Sequence, residues 1–195
     1  VGGLYDVIPL LVLGLVVTAV YHSGTIDELG PITFEPKIPV MVLVPVIFAV
    51  ACGASHGTAT SPVIVRCARV HVARAMSFLC VVVIALGALW LGDYLSATSV
   101  FVPSVRNFML FGGVALAAAA LAGVAYGWIP VVVLLGGAVL SPIDDSPFSF
   151  YGLVFGNATT FQLCVVGLVA TVGLTVAIWD PRSPGYLRRS TILTA

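Results

Sequence analysis

Residues 161–179 read FQLCVVGLVATVGLTVAIW, nineteen positions without a charge. A helix of about 20 such residues, rising about 1.5 Å each, crosses a hydrocarbon core of about 30 Å. Residues 107–126, NFMLFGGVALAAAALAGVAY, are long enough in the same way. Outward from these two lie shorter apolar stretches at 7–21, 38–54, 76–91 and 130–140. The first is bracketed by Tyr5 and Tyr21, whose amphipathic rings favour a membrane–water interface. The eleven residues of 130–140 open on Pro130, tolerated in a first helical turn. With Tyr126, Gly127 and Trp128 before it, this stretch predicts a tight helical hairpin. Composition agrees: of 195 residues 60% are apolar and 8% charged, against about 25% charged in soluble domains. Net charge is zero and Lys37 is the single lysine, which excludes a phosphate-neutralising, nucleic-acid-binding surface. The expected fold is all-α: one domain over 1–195, a polytopic helical bundle in the cell membrane with the lipid bilayer as solvent.

Arginine placement predicts the orientation. With the loop of Arg66 inside, Arg66, Arg69, Arg74, Arg182, Arg188 and Arg189 share the cytoplasmic side, leaving Lys37 and Arg106 outside. That is the positive-inside bias of short loops. Asp27, Glu28, Glu35, Asp93, Asp144 and Asp145 then share the outer side. Six spans and two cytoplasmic termini follow. In the alternative, 130–140 dips in and returns, which puts the C-terminal arginines outside unless another span is lost. The first residues lack a basic flank and an Ala-x-Ala-like site, so no cleavable signal peptide is expected. Val1 is not an initiator methionine, so residues are expected to precede it.

Two segments between spans carry more than a connector needs. In the first, Ser61 before Pro62 is a helix-start signal. Over 61–75 a helical wheel gathers Arg66, Arg69 and Arg74 on one side, with Ile64, Val65, Ala68 and Val72 opposite and His71 at the border. This predicts a basic amphipathic helix on the cytoplasmic surface. It either meets anionic headgroups or docks on acidic groups of a partner. The second, 141–160, makes a turn with Pro142, Asp144, Asp145 and Pro147, then runs through Phe148, Phe150, Tyr151, Leu153, Val154 and Phe155. Such an aromatic run belongs at the outer interface or folded back among helices, because irregular backbone at depth needs protein around it. Asn157-Ala158-Thr159 fits the glycosylation pattern, a match too short to carry weight.

Other features bear on packing. Pro45 should kink the second span or leave a carbonyl free. Gly123 and Gly127 form a GxxxG pair whose face Ala119 extends, suited to close helix approach within the chain or to a second subunit in a homo- or hetero-oligomer. The loop 22–37, with Gly24, Gly30, Pro31 and Pro36, reads as irregular.

No catalytic residue, cofactor site or metal site is expected. There is no G-x-x-x-x-G-K-[ST] sequence, no carboxylate in the middle of a proposed span and no G-x-S-x-G wholly within one, since Gly53-Ala54-Ser55-His56-Gly57 runs past the end of 38–54. His22 is about a membrane thickness from His56 and His71, which argues against an axial haem pair. Cys52, Cys67, Cys80 and Cys164 form no C-x-x-C.

Six helices with both ends inside, a basic helix between the second and third, and an aromatic outer segment between the fifth and sixth together resemble the membrane subunits of ABC-2-type transporters, especially the small permease-like proteins of actinobacterial exporters. The resemblance implies that the helix of Arg66, Arg69, His71 and Arg74 is a coupling helix seated in a separate ATPase subunit. It also implies that Phe148, Phe150, Tyr151 and Phe155 belong to re-entrant helices at an outer gate. The rival expectation is a non-catalytic structural or accessory subunit of a larger membrane complex, such as a respiratory assembly. A third is the substrate-binding component of a vitamin importer, whose few available polar groups are Thr18, Gln162, Thr171 and Thr175.

Overall fold

A computed structural model describes residues 2–29, 32–56, 68–96, 99–144, 146 and 148–179. Among them the chain forms seven α-helices and one β-hairpin. In order these are α1 (Gly2–Tyr21), β1 (Thr25–Leu29), β2 (Ile32–Pro39), α2 (Val40–Ser55), α3 (Ala68–Ser96), α4 (Phe101–Ala122), α5 (Ile129–Leu140), α6 (Phe150–Val154) and α7 (Thr160–Trp179). Three helical stretches, Ala75–Ser96, Phe101–Ala122 and Thr160–Ile178, are long and apolar enough to cross a membrane; Val7–Tyr21, Val40–Ser55 and Val124–Leu140 are apolar but shorter.

Four expectations need correction. The fold is not wholly α, because the loop expected to be irregular is an antiparallel hairpin. Thr25 pairs with Pro39, Ile26 with Ile38, Glu28 with Thr33 and Leu29 with Ile32, with a register shift after Ile26. A two-stranded sheet has only edge strands, where proline is tolerated, so Pro36 does not forbid β2. Lys37 Nζ bonds Asp27 Oδ2 across the hairpin at 2.5 Å and holds that carboxyl below its ordinary range.

The second correction concerns the basic segment. Residues 61–67, with Arg66, lie outside the described residues, but from Ala68 the chain is helical to Ser96. Arg69, His71 and Arg74 thus occupy the first two turns of α3 and not a separate surface helix. Alanine, arginine and methionine favour helix, and nothing interrupts them before Gly87. At 29 residues α3 is about 43 Å long.

Third, the fourth apolar stretch becomes helical six residues earlier than expected, at Phe101, which takes Arg106 out of a loop and into α4. Fourth, Gly123 and Gly127 do not share a helical face. Gly123 adopts φ 109°, a conformation only glycine takes readily, and ends α4 by donating its N–H to Ala119 O at 3.1 Å. After a 3-10 turn, Val124–Tyr126, Gly127 folds back on α4, where a Cβ would lie 3.2 Å from Ala115 O and 3.3 Å from Ala119 Cβ. The pair makes a chain reversal.

Helix α4 is central, with twelve of its 22 residues buried. It packs between α2 and α7, while α1 and α3 cover the other side of α2. Glycines mark the tight crossings. Phe48 lies over Gly14, Met41 and Thr18 over Gly92, Ala115 over Gly53, and Ala170 over Gly113. With Ser104 on Met41 O, Gln162 on Arg106 and Phe78 near Cys52, these contacts fix direction: α2, α4 and α7 run parallel, and α1 and α3 run against them. Phe48, Met41 and Leu89 centre one apolar cluster; Phe111, Val131, Val154 and Val166 centre the other. The outward faces are apolar too, with Val12, Val16 and Val20 on α1, Leu79 and Val83 on α3, Val133 on α5 and Leu168 and Val172 on α7 exposed. So much bare apolar surface suits lipid and not water.

Two polar side chains tie one end of this bundle together. Pro45 has no N–H to give Met41 O, and Ser104 Oγ of α4 donates to that carbonyl instead, at 2.9 Å. Asp93, in the last turns of α3, accepts from Val100 N at 2.8 Å and Phe101 N at 3.0 Å, capping α4 with a carboxylate at its positive end. Asp93→Ala should lower stability by about 1 kcal/mol, read as thermal unfolding in detergent, and Asp93→Asn should recover most of it. Equal stability of Asp93→Ala and the parent would contradict the cap.

Candidate functional site

The segment between α5 and α7 is built by its own side chains. Ser149 Oγ accepts from Gly152 N at 2.8 Å to start α6, and its hydroxyl donates to Asp144 O. Asp144 Oδ1 in turn accepts from Ser146 N. Helix α7 begins with a reciprocal cap of the Thr-x-x-Gln type: Thr159 Oγ1 accepts from Gln162 N and Gln162 Oε1 accepts from Thr159 N, both at 3.3 Å. Helix α5, with twelve residues, is only about 18 Å long. The space it leaves at this end is taken by α6, whose Tyr151 and Val154 are buried.

Beneath α6 lies Arg106, fully buried in the second turn of α4. Its Nε donates to Asn107 Oδ1 at 3.2 Å, Nη1 to Gly156 O at 3.0 Å and to Gln162 Oε1 at 2.9 Å, and Nη2 to Val154 O at 2.9 Å. Asn107 Nδ2 donates to Val154 O at 2.8 Å and across to Val42 O of α2 at 3.1 Å. Gln162 Nε2 donates to Gly152 O at 3.2 Å. Three successive-but-one carbonyls of the segment, at 152, 154 and 156, are thus held by side chains of α4 and α7. Irregular backbone among apolar helices is tolerable only with such partners. Every described partner of Arg106 is neutral, so the guanidinium is a buried cation without a carboxylate.

The residues expected at an outer gate are divided by this arrangement. Phe148 and Phe150 point outward, 79% and 55% exposed, and the Phe148 ring stands 5.2 Å from Phe161. Tyr151 turns inward, its ring 5.2 Å from that of Phe155. Between α6 and α7 opens a groove of about 260 Å³ lined by Phe148, Phe150, Leu153, Phe161 and Val165, with Ser149 and Gln162 as its polar atoms. Arg69, His71 and Arg74 begin α3 at the opposite end of the bundle. Of the few polar groups open to an importer pocket, Thr18, Thr171 and Thr175 each donate to a carbonyl of their own helix, four residues back. Only Gln162 of that set belongs to the cluster.

Sequence reading missed Arg106, Asn107 and Gln162 as a group. Arg106 looked like a loop cation because the apolar run begins just after it. The Thr159-x-x-Gln162 spacing, a capping signal before an apolar run, was the available sign of where α7 starts.

Compared with known protein families, curated proteins and solved structures, the chain matches none.

Proposed function

We propose that the chain is a multi-pass, membrane-embedded permease-type subunit of an ABC exporter, driven by a separate ATPase, with six membrane-crossing helical segments and both chain ends cytoplasmic. The observation that carries this reading is the short helix α6, tucked back among α4, α5 and α7 at one end of the bundle, with Arg69 and Arg74 opening α3 at the other. A re-entrant element over one mouth and a basic projection at the far end is what an energy-coupled permease requires. Helix α3 exceeds the roughly 30 Å hydrocarbon core by about 13 Å, so its first two turns extend into the cytoplasm and act as the coupling surface together with Arg66. Having no nucleotide-binding motif, the chain receives its energy through that contact.

Purification of the intact assembly in mild detergent should carry an ATPase subunit. Reversing Arg66, Arg69 and Arg74 together to glutamate should reduce the copurified ATPase at least about tenfold, the loss of several charge-assisted contacts. Retention of the ATPase with ATP-driven turnover in that variant would overturn the coupling role. Redox subunits in its place would favour an accessory subunit.

A further inference from the structure

Arg106 is more than its structural task demands. Neutral donors suffice to hold main-chain carbonyls, as Asn107 does for Val154 O and Gln162 for Gly152 O. A full charge buried among apolar helices is costly, and it marks function more often than architecture. Its other neighbour compounds the excess: Gln162, 2.9 Å away, belongs to the first turn of the 20-residue helix α7, the positive end of that helix dipole. Against this, the oxygens of Asn107, Gln162, Val154 and Gly156 supply only partial negative charge, and the main-chain pair lies on the segment of α6. They stand where an anion would bind.

A second, independent feature adjoins it. The groove between α6 and α7 is apolar along Phe148, Phe150, Leu153, Phe161 and Val165, and Gln162 belongs both to its wall and to the Arg106 cluster. We propose that this end of the bundle binds an anionic amphiphile, its apolar chain in the groove and its carboxylate or phosphate on Arg106. The head group takes Nη1 and Nη2 from Gly156 O and Val154 O, and α6 lifts as it does so. An ionised acceptor makes shorter, stronger and bidentate hydrogen bonds to guanidinium than two carbonyls do, so binding and unseating of α6 are one event. The proposal rests on the reading of the chain as a membrane protein and needs no ATPase.

The test titrates the full chain, in nanodiscs of phosphatidylcholine, with oleate and with oleyl alcohol, which shares the chain and lacks the charge. Oleate should bind saturably and about tenfold or more tightly than the alcohol. Arg106→Gln should bring the two affinities together, and Val165→Trp, which fills the groove from a partly exposed position, should weaken both. Equal binding of acid and alcohol by the parent overturns the proposal. So does a preference for the acid that survives Arg106→Gln, or a Val165→Trp chain that binds like the parent. Should Arg106→Gln not fold, the parent comparison and Val165→Trp decide by themselves. Phosphatidylglycerol added to the discs identifies the source of the anion: displacement of oleate assigns the site to a lipid head group, and its persistence assigns it to a free acid. Failure here leaves ATPase copurification untouched, so the two readings fall separately.

Discussion

Replacing Arg106 by methionine lowers the stability of the fold by about 2–4 kcal/mol and loosens α6 first. Methionine keeps the apolar stem of the side chain and loses all four described hydrogen bonds. Val154 O retains Asn107 and Gln162 Oε1 retains Thr159 N, but Gly156 O loses its side-chain partner in a water-poor place. A buried acceptor left without a partner costs about 1–3 kcal/mol, and the lost bonds to Asn107 Oδ1 and Gln162 Oε1 supply the remainder. Relief of the buried charge partly offsets this, which is why the loss stays below the sum of four bonds. Arg106→Gln retains two donors and should cost about half as much. Thermal unfolding in detergent ranks the variants, and deuterium exchange over 148–158 should rise in Arg106→Met before exchange in α2 or α4 does. If α6 exchanged no faster, the cluster would not be its anchor.

What the sequence disclosed and what it hid divide along a physical line. Apolar length announces a helix, because twenty residues without charge have few other places to go, and each of the six apolar stretches carries an α-helix. Proline announces a missing donor, and Pro45 did so: its unserved carbonyl, Met41 O, is met by Ser104 of a helix sixty residues away. Which side chain would serve it is a tertiary fact with no local trace. The same holds for Arg106. Read alone it is a charge before an apolar run, hence a loop residue; only the carbonyls at 154 and 156, some fifty residues on, make its burial tolerable. Gly123 and Gly127 show the converse error. Their spacing is that of a helix-packing pair, yet spacing says nothing about φ, and one glycine in a left-handed conformation turned a face into a bend. That Phe150 is exposed and Tyr151 beside it turns inward follows from helical α6, where neighbours point in different directions.

Among the described glycines the closest main-chain approach is at the crossing of α4 and α7, and a single methyl group should open it. A Cβ on Gly173 would lie 2.1 Å from Gly113 O, and one on Gly113 would lie 2.7 Å from Ala170 Cα. Both obstacles are main chain, so no rotamer can yield and the helices must separate. Gly173→Ala should therefore cost about 3 kcal/mol, at the upper end for overpacking by one carbon. The controls are on the same two helices. Gly112 and Gly167 face open space, with nothing within 4 Å of an added Cβ, so alanine there should leave stability unchanged or raise it by up to about 1 kcal/mol through helix propensity. Unfolding temperatures of the four single variants test the contrast, and a Gly173→Ala chain as stable as Gly167→Ala would place the crossing elsewhere. The crossing also sets the position of Gln162, eleven residues up the same helix and hydrogen-bonded to Arg106. Forcing α7 outward at Gly173 strains that bond before any polar atom is changed. The double variant Gly173→Ala with Arg106→Met should then lose less than the two single losses added together, by more than the roughly 0.3–0.5 kcal/mol within which independent sites add. Strict additivity would mean that α7 pivots about the crossing and leaves its upper turn, with Gln162, in place.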